Sequence, residues 1–355
     1  MKTQCRECSV PLIVSKTHEW RDGCIVDKAN GAANLCLYEA SFHNALVDKA
    51  GDILGIPLDP LIYNAGRHAS EEVVKDLFAA HPFIAKLAVK RPFIFLCERV
   101  LIHFGKSIGC GSYEILDQKL YKHAKLRMRE PYHPMHCLAI VAGALQFLSR
   151  VPFTYTATEE DDGLIVDIAF RDKKEEEEEA YLRLTPADLS PKRGSERFVQ
   201  PRCPGCTTPV EIGRLLSFDM ERGLITVRES GERMILLGVY SLNAIVREFE
   251  KELGYDFNDI FIESERKNFA RKLGENLKDA GQWGEKPLYE YLALRGLGTL
   301  SEMIERDGKA SLTIENTFIP PIVVGRLVAL WEREYQKEGS YEFGVSGNTL
   351  QLSIS

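Results

Sequence analysis

The sequence predicts a mixed α/β (α+β) fold built from two tandem modules, each a small antiparallel sheet packed with helices. Three observations lead to this prediction. A Cys-x-x-Cys-x-x-Pro motif occurs at Cys5 and again at Cys203. After each motif, segments with the helical spacing of apolar residues follow in the same order. Each half then ends in two alternating, β-type segments separated by a turn.

The similarity between the two halves extends well beyond the cysteine motifs. Cys5 and Cys203 are 198 positions apart, and the later segments keep offsets between 186 and 200. The aligned segments are 23–26 with 223–226, 42–55 with 241–254, and 132–136 with 318–322. Nearly constant offsets over so many segments indicate an internal duplication.

The first module begins with the cysteine knuckle and a β-type segment at 24–27 that leads to an Asn-Gly turn. The predicted helices cover 37–54, which ends before Gly55, then 59–78, which starts with Asp-Pro, and 82–104, which Pro92 interrupts. After them come a strand-like segment at 120–130, a helix at 134–148 and hairpin strands at 153–158 and 164–169.

The second module repeats this order. Its predicted elements are a β-type segment at 224–228, helices at 239–253 and 287–297, a strand at 311–315, a helix at 321–334 and hairpin strands at 341–345 and 349–354. We therefore divide the chain into a first module at 1–170, a linker at 171–200 and a second module at 201–355. The linker contains prolines and the acidic run 175–179, which is typical of a solvated connector.

The composition is that of an ordinary globular protein, with 45% hydrophobic and 27% charged residues. A formal net charge of −7 argues against a general affinity for nucleic-acid phosphates. No apolar stretch approaches the roughly 20 residues needed to cross a bilayer. The N-terminal residues also lack the apolar segment of a signal peptide. We therefore expect a cytoplasmic protein whose partners include neither nucleic acid nor membrane.

Two segments of the first module resemble the 4-vinyl reductase domain family. One is Leu-Ile-Tyr-Asn-Ala-Gly-Arg-His-Ala at 61–69, which follows a helix ending in Leu-Gly. The other is His-Cys-Leu-Ala-Ile-Val-Ala-Gly-Ala-Leu at 136–145, which precedes a hairpin as it does in that family. The resemblance covers 37–170 and, more weakly, 238–355, and it does not account for the cysteine knuckles.

The fold of this family is related to the haem-nitric-oxide-binding fold. The resemblance therefore implies a small-molecule sensor or an accessory to tetrapyrrole reduction, because family members serve in both roles. Many members ligate zinc through cysteines in the closing hairpin, whereas residues 158–170 of this chain contain no cysteine. The resemblance thus implies no metal site at the family's usual place.

Cys5, Cys8, Cys203 and Cys206 are the candidate metal ligands. A structural zinc ion needs four nitrogen or sulfur ligands, and each Cys-x-x-Cys turn supplies two. The second module has no other cysteine and no histidine. If the modules pack about a pseudo-twofold axis, the two knuckles face each other and complete a four-cysteine zinc site. The alternatives are a site that Cys24 or Cys36 completes, a site shared between two chains, a metal-free ribbon, and a redox-active dithiol.

All eight histidines precede residue 137. This asymmetry suggests that the first module holds a ligand pocket while the second serves as scaffold. The candidate ligand-binding residues are Arg67, His68, His103, His133 and His136. Imidazoles there can hydrogen-bond a polar ligand, shuttle protons, or bind a metal, haem or tetrapyrrole. The alternative is that these histidines are ordinary packed or exposed residues.

The aliphatic and aromatic character of the first-module helices favours a small hydrophobic ligand. The side chains behind this expectation are Phe83, Ile84, Phe93, Phe95, Phe104 and Phe147. The leading hypothesis is a cytoplasmic sensor or accessory protein with this pocket and a structural zinc, acting through a protein partner or a homodimer. One alternative is an enzyme, or enzyme accessory, that binds a tetrapyrrole, haem or metal through the first-module histidines. The other is a structural or assembly protein.

Overall fold

A computed structural model describes residues 3–79, 94–161, 163–171, 188–194, 197–198, 200–253, 257–274 and 281–355. Within these ranges the chain forms ten helices and three antiparallel sheets, so the predicted mixed α/β class is confirmed. None of the helices in the same ranges is long and apolar enough to cross a membrane. Residues 82–93 of the helix predicted at 82–104 and most of the linker lie outside the described residues, while the remainder of that helix is present from Ile94.

The elements of the first half occur in the following order: α1 Leu12–Thr17, β1 His18–Arg21, β2 Cys24–Asp27, β3 Ala33–Glu39, α2 Ala40–Leu54, α3 Asp59–Ala79, α4 Ile94–Ser107, β4 Ser112–Lys119, β5 His123–Arg129, α5 Pro134–Ser149, β6 Phe153–Glu160 and β7 Gly163–Phe170. The short helix α1 and the strands β1, β3 and β4 did not stand out in the sequence.

The second half presents the same order of elements: α6 Val210–Leu215, β8 Leu216–Asp219, β9 Leu224–Val227, β10 Arg233–Gly238, α7 Val239–Leu253, α8 Asn258–Gly274, α9 Glu285–Arg295, β11 Thr299–Arg306, β12 Lys309–Glu315, α10 Pro320–Tyr335, β13 Tyr341–Ser346 and β14 Thr349–Ile354. Corresponding elements begin 198 residues apart at α1 and α6, 199 apart at α3 and α8, and 186 apart at α5 and α10.

Local sequence signals explain several helix ends. Helix α2 stops where Gly55 adopts a left-handed conformation with φ of 63° and donates its N–H to the carbonyl of Gly51. Helix α5 begins with Pro134 in its first turn, and the ring of His133 accepts a hydrogen bond from the backbone N–H of His136. These signals lie within a few residues of each helix end, which is why the sequence revealed them.

The predicted helix at 37–54 is wrong at its N-terminal end, because residues 37–39 belong to strand β3. Leu37 and Tyr38 pair with Leu236 and Ile235 of the second half in an antiparallel ladder. Both residues are fully buried. A strand covered on both faces shows no alternation, so its apolar run is indistinguishable from the start of the helix that follows.

A six-stranded sheet joins the two halves in the order β1-β2-β3-β10-β9-β8. Its two central strands come from different halves, and Leu37 lies opposite Leu236 in the middle of their ladder. The outer hairpin of each half contacts the other half, and the two contacts are equivalent. Gly298 donates its N–H to the carbonyl of Gly23, and Gly111 donates to that of Gly223, each at 3.0 Å. Each hairpin therefore packs on the body of the other half.

Two four-stranded sheets with matching orders, β4-β5-β7-β6 and β11-β12-β14-β13, complete the architecture. In the first half, α3 packs closely against α5 at Gly143, where a Cβ would lie 2.3 Å from the carbonyl oxygen of Arg67. In the second half, Gly325 of α10 allows a similarly close approach to α8 near Glu265. One continuous hydrophobic core runs through both halves.

Candidate metal centre and ligand pocket

Each Cys-x-x-Cys-x-x-Pro motif forms a tight knuckle. In the first, Cys5 donates its N–H to the carbonyl of Val10, and Ser9 donates to that of Cys5. In the second, Cys203 donates to Thr208, and Thr207 donates to Cys203. Ser9 and Thr207 take the left-handed conformation, with φ of 61° and 63°, which turns the chain back on itself. The two thiols of each motif are thereby held close together.

The structure brings the two knuckles face to face. The sulfur atoms of Cys5 and Cys203 are 3.8 Å apart, and those of Cys8 and Cys206 are 3.4 Å apart. All four sulfur atoms lie within 4.8 Å of one another. A tetrahedral zinc ion with Zn–S bonds of about 2.3 Å requires sulfur–sulfur distances of about 3.8 Å. The four-cysteine group therefore can hold a metal ion of this size.

The surroundings of the thiols also suit a metal. Burial opposes ionisation of Cys5, but backbone N–H groups of Glu7 and Cys8 lower the pKa of its thiol to about 7. Burial raises the pKa values of Cys8 and Cys206. Four thiolates this close repel one another, so a divalent cation is what permits all of them to ionise. Gly205 allows the approach of the knuckles, because a Cβ there would lie 3.0 Å from the sulfur of Cys5.

Cys24 and Cys36, the alternative ligands, lie elsewhere. Cys24 is buried and its thiol contacts the carbonyl of Asn316 at 3.6 Å. Cys36 is fully buried in the core, on the strand that joins the halves. Burial raises the pKa of each thiol to about 12. Among the described residues, one group of three or more His, Cys, Asp or Glu side chains is close enough together to hold a metal ion. This group consists of the four knuckle cysteines.

The first half also contains an apolar cavity of about 180 Å³. Its walls come from β3, α3, α4, α5, β4 and β5, together with the end of β10 and the start of α7 from the second half. Most of the lining is aliphatic or aromatic, including Val73, Phe104, Ile108, Ile140 and Leu237. Such a cavity has the character of a ligand site for an apolar molecule.

A buried hydrogen-bonded chain lies in one wall of the cavity. His136 is fully buried, and its Nε2 and Nδ1 atoms each lie 2.8 Å from a hydroxyl oxygen, those of Ser241 and Tyr132 respectively. His43 Nε2 also lies 3.1 Å from His136 Nδ1. Burial lowers the pKa of His136 well below its usual value, so the ring is neutral. Donation from Nε2–H to Ser241 with acceptance at Nδ1 from Tyr132 is one arrangement that satisfies both ring nitrogens with a single proton.

Of the five predicted ligand-binding residues, His136 lines the cavity. His133 instead caps helix α5, and its ring centroid lies 5.3 Å from that of His43. Arg67 and His68 lie on α3 and His103 lies on α4, all outside the set of cavity-lining residues. Burial, and then the charge of Arg67, lower the pKa of His68 to about 4.

The hydrophobic residues predicted to form the pocket also lie partly in the cavity wall and partly elsewhere. Phe104 lines the cavity, Phe95 is 42% exposed, and Phe147 packs in a small separate cluster with Leu148. Phe83, Ile84 and Phe93 lie outside the described residues.

Sequence reasoning missed Tyr132, Ser241 and the segment 236–238, which line the cavity. Ser241 and residues 236–238 belong to the second half, far from the first-half segments in sequence. Tyr132 lies just before His133 and His136, which were the predicted ligand-binding residues of this segment. A search for polar residues next to His136 in the sequence would have found Tyr132, but no local signal indicates Ser241.

The equivalent place in the second half is filled. Larger or charged side chains occupy the positions that correspond to the smaller or apolar residues of the cavity lining. The corresponding pairs, with the residue of the cavity named before the residue of the filled site, are Ile140 and Arg326, Gly238 and Glu39, Val73 and Lys272, Ile108 and Arg295, Phe104 and Tyr291, and Leu237 and Tyr38. Two of the filling residues, Tyr38 and Glu39, come from β3 of the first half, just as the cavity borrows residues from β10.

The filling residues form a buried ionic cluster. Arg326 pairs with Glu39 and, at 2.6 Å, with Glu265, and it donates to the hydroxyl of Tyr291 at 2.7 Å. Lys272 adds a 2.9 Å bond to Glu39. Burial opposes ionisation of Glu39, but Arg326 and Lys272 hold the pKa of its carboxyl far below the usual value. The charges are therefore compensated internally, without solvent.

No family model, curated protein or solved structure matches this chain.

Proposed function

We propose that this protein binds one small, uncharged and mainly apolar molecule in the cavity of its first half. The contrast between the halves carries the proposal. At each of six corresponding positions the first-half site has the less polar or smaller residue, and the result is an apolar cavity of about 180 Å³. In the second half the same positions are occupied by an ionic cluster with internal partners.

The size and charge of the cavity define the ligand class. A cavity of about 150 Å³ with an aliphatic and aromatic lining accepts benzene or xenon. A molecule with one ring or a short aliphatic body therefore suits about 180 Å³. This volume favours such a molecule over haem or another tetrapyrrole, the ligands of the alternative hypothesis.

An uncharged ligand suits the wall best, because the described lining contains no lysine or arginine and a single acidic side chain. Among the described lining residues the charged side chain is Glu98, and burial raises the pKa of its carboxyl. Gln118 donates to that carboxyl at 3.3 Å. An anion would lose its hydration without gaining a cationic partner, which costs far more than apolar contact returns, and a cation would meet one carboxyl that already accepts from Gln118.

We further propose that both halves are copies of a 4-vinyl-reductase-like module and that zinc joins them. The repeated order of elements and the matching sheet orders support the duplication. The four sulfur atoms suit zinc, whose role here is structural because four thiolates leave no open coordination position. On this proposal the protein is a cytoplasmic sensor or accessory that transmits ligand binding to a protein partner or a second copy.

The test uses fluorobenzene as the probe and ¹⁹F NMR as the readout. Wild type is expected to bind one fluorobenzene per chain, whereas Ile140→Trp fills the cavity and abolishes binding. Leu96→Trp is the matched control, because this residue lies on α4 with 58% of its surface exposed. Absence of binding by wild type, or equal binding by the Ile140→Trp variant, would refute the proposal.

A further inference from the structure

A short path of contacts links the four-cysteine centre to the cavity. Helix α1 begins directly after the first knuckle, at Leu12, and this residue packs against the sulfur cluster. The helix is six residues long and ends where His18 begins strand β1. His18 therefore stands one helix away from the metal ligands, on a segment whose first turn touches them.

The His18 side chain is buried and contacts two residues of the cavity wall. Its Nε2 lies 3.2 Å from Oδ1 of Asn34, and its ring stacks on Phe104 with centroids 5.9 Å apart and planes inclined by 18°. Both Asn34 and Phe104 line the cavity. His18 thus connects strand β3 to helix α4 behind the apolar wall.

The remaining ring nitrogen contacts helix α1. His18 Nδ1 lies 2.8 Å from the hydroxyl of Thr17, the last residue of α1. Burial lowers the pKa of His18, so the ring is neutral and carries one proton. Donation from Nε2 to Oδ1 of Asn34 uses that single proton, whereas the Thr17 hydroxyl donates to the carbonyl of Ile13 at 2.7 Å and contacts Nδ1 through its oxygen. The ring orientation is therefore set by α1 on one side and by the cavity wall on the other.

The second half lacks this link. Leu216 begins β8 as His18 begins β1, and it is a buried apolar residue. The half with a leucine here has a filled site, and the half with a histidine has a cavity. A leucine at this place is compatible with the fold. Its side chain can neither hydrogen-bond an asparagine nor stack as a ring on an aromatic neighbour.

From these contacts we infer that His18 is a positioning residue that couples the metal centre to the ligand cavity. The inference rests on the proposed ligand-binding function. Order imposed on α1 by the metal-bound knuckle holds the His18 ring, which in turn holds Phe104 and Asn34 in the cavity wall. By thermodynamic reciprocity, a molecule that fills the cavity must strengthen retention of the metal by the same factor.

The test measures fluorobenzene affinity and zinc release on the same zinc-loaded, full-length protein. In wild type, saturating fluorobenzene is expected to lower the fraction of zinc that a competing colorimetric chelator holds at equilibrium. His18→Leu is expected to weaken fluorobenzene binding by at least about fivefold, the lower end of typical coupling, and to abolish the effect on zinc release. His18→Gln, which keeps a donor for Asn34, is expected to restore part of both. His123→Leu, an exposed residue paired with Asp117, serves as control.

The outcomes separate the two proposals. If wild type binds no fluorobenzene, both the ligand-binding function and the coupling fail. If wild type and His18→Leu bind fluorobenzene with equal affinity, and fluorobenzene does not change the retention of zinc, only the coupling fails. Loss of affinity in His18→Leu with no protection of zinc in wild type also overturns the coupling, because it reduces His18 to a local packing residue. Thermal unfolding of His18→Leu with zinc bound verifies that the variant is folded.

Discussion

Removing the guanidinium at the centre of the buried ionic cluster should destabilise the protein strongly. In Arg326→Met the apolar volume is largely kept, but Glu39 loses its principal partner and Glu265 loses the ion pair at 2.6 Å. Both carboxyl groups are almost completely inaccessible to water, with exposures of 0% and 1%. Breaking one partner of a buried pair in this way typically costs about 3–5 kcal/mol.

Two features place the expected loss near the lower end of that range. Lys272 remains bonded to Glu39 at 2.9 Å in the variant, so this carboxylate keeps one cation. Burial already raises the pKa of Glu265 against the influence of Arg326, so this group can take up a proton when the guanidinium is removed. We therefore expect a loss of about 3 kcal/mol in the free energy of unfolding, a large part of the about 5–15 kcal/mol typical of folded domains.

Urea unfolding followed by circular dichroism, with zinc present throughout, measures this loss. The matched control is Arg222→Met, which removes an ion pair with Glu130 on the surface, where Arg222 is 57% exposed. Exposed pairs contribute about 0–1 kcal/mol, so the control should be nearly neutral. If Arg326→Met loses no more than the control, then the cluster is solvated or already neutral, and the explanation for the filled second-half site is wrong.

Three further predictions concern the metal, helix packing and pH. Cys203→Ser with Cys206→Ser should abolish bound zinc, measured by mass spectrometry of metals, whereas Cys97→Ser should retain about one ion per chain; retention by the double variant would exclude the four-cysteine site. Gly143→Ala should lower the free energy of unfolding by about 1–3 kcal/mol, because its Cβ would overlap backbone of α3, and a neutral effect would show that the helices can separate. Burial, and then nearby His133, lower the pKa of His43 to about 3, against about 6.5 in an unfolded chain. The unfolded state therefore binds this proton first, so stability falls as pH decreases from about 6.5 towards 3, by up to about 1.4 kcal/mol per pH unit for this group. A flat pH profile over that window in urea melts would contradict the buried, neutral assignment.

Much of the local structure was predictable because its signals are local. The ends of α2 and α5 follow from Gly55 and Pro134, and the closing hairpins follow from alternating residues. The end of β3 at 37–39 was not predictable, since Leu37 and Tyr38 are buried by strands and helices that lie about 200 positions away. An apolar run acquires its secondary structure from the partner that covers it.

The candidate sites divide in the same way. The four knuckle cysteines were identifiable because Cys-x-x-Cys carries both the ligand type and the local turn geometry, and the second half offered no other ligand of that kind. The cavity was predictable only in its location within the first half. Histidine occurs in too many structural roles for its residue type to predict which copy lines a cavity. Of the predicted set, His136 alone lines the wall.

The sequence by itself determined the mixed α/β class, the order of most helices and hairpins, the two-part pattern and the presence of one cysteine motif in each half. These properties depend on residue spacing and on chemistry within short segments. Only the tertiary structure decided that the halves interleave through β3 and β10, that Ser241 of the second half contacts His136 of the first, and that Arg326 fills one site while Ile140 leaves the other open. Those outcomes depend on which distant side chains share one volume, and a cavity exists only where their combined volumes fail to fill it.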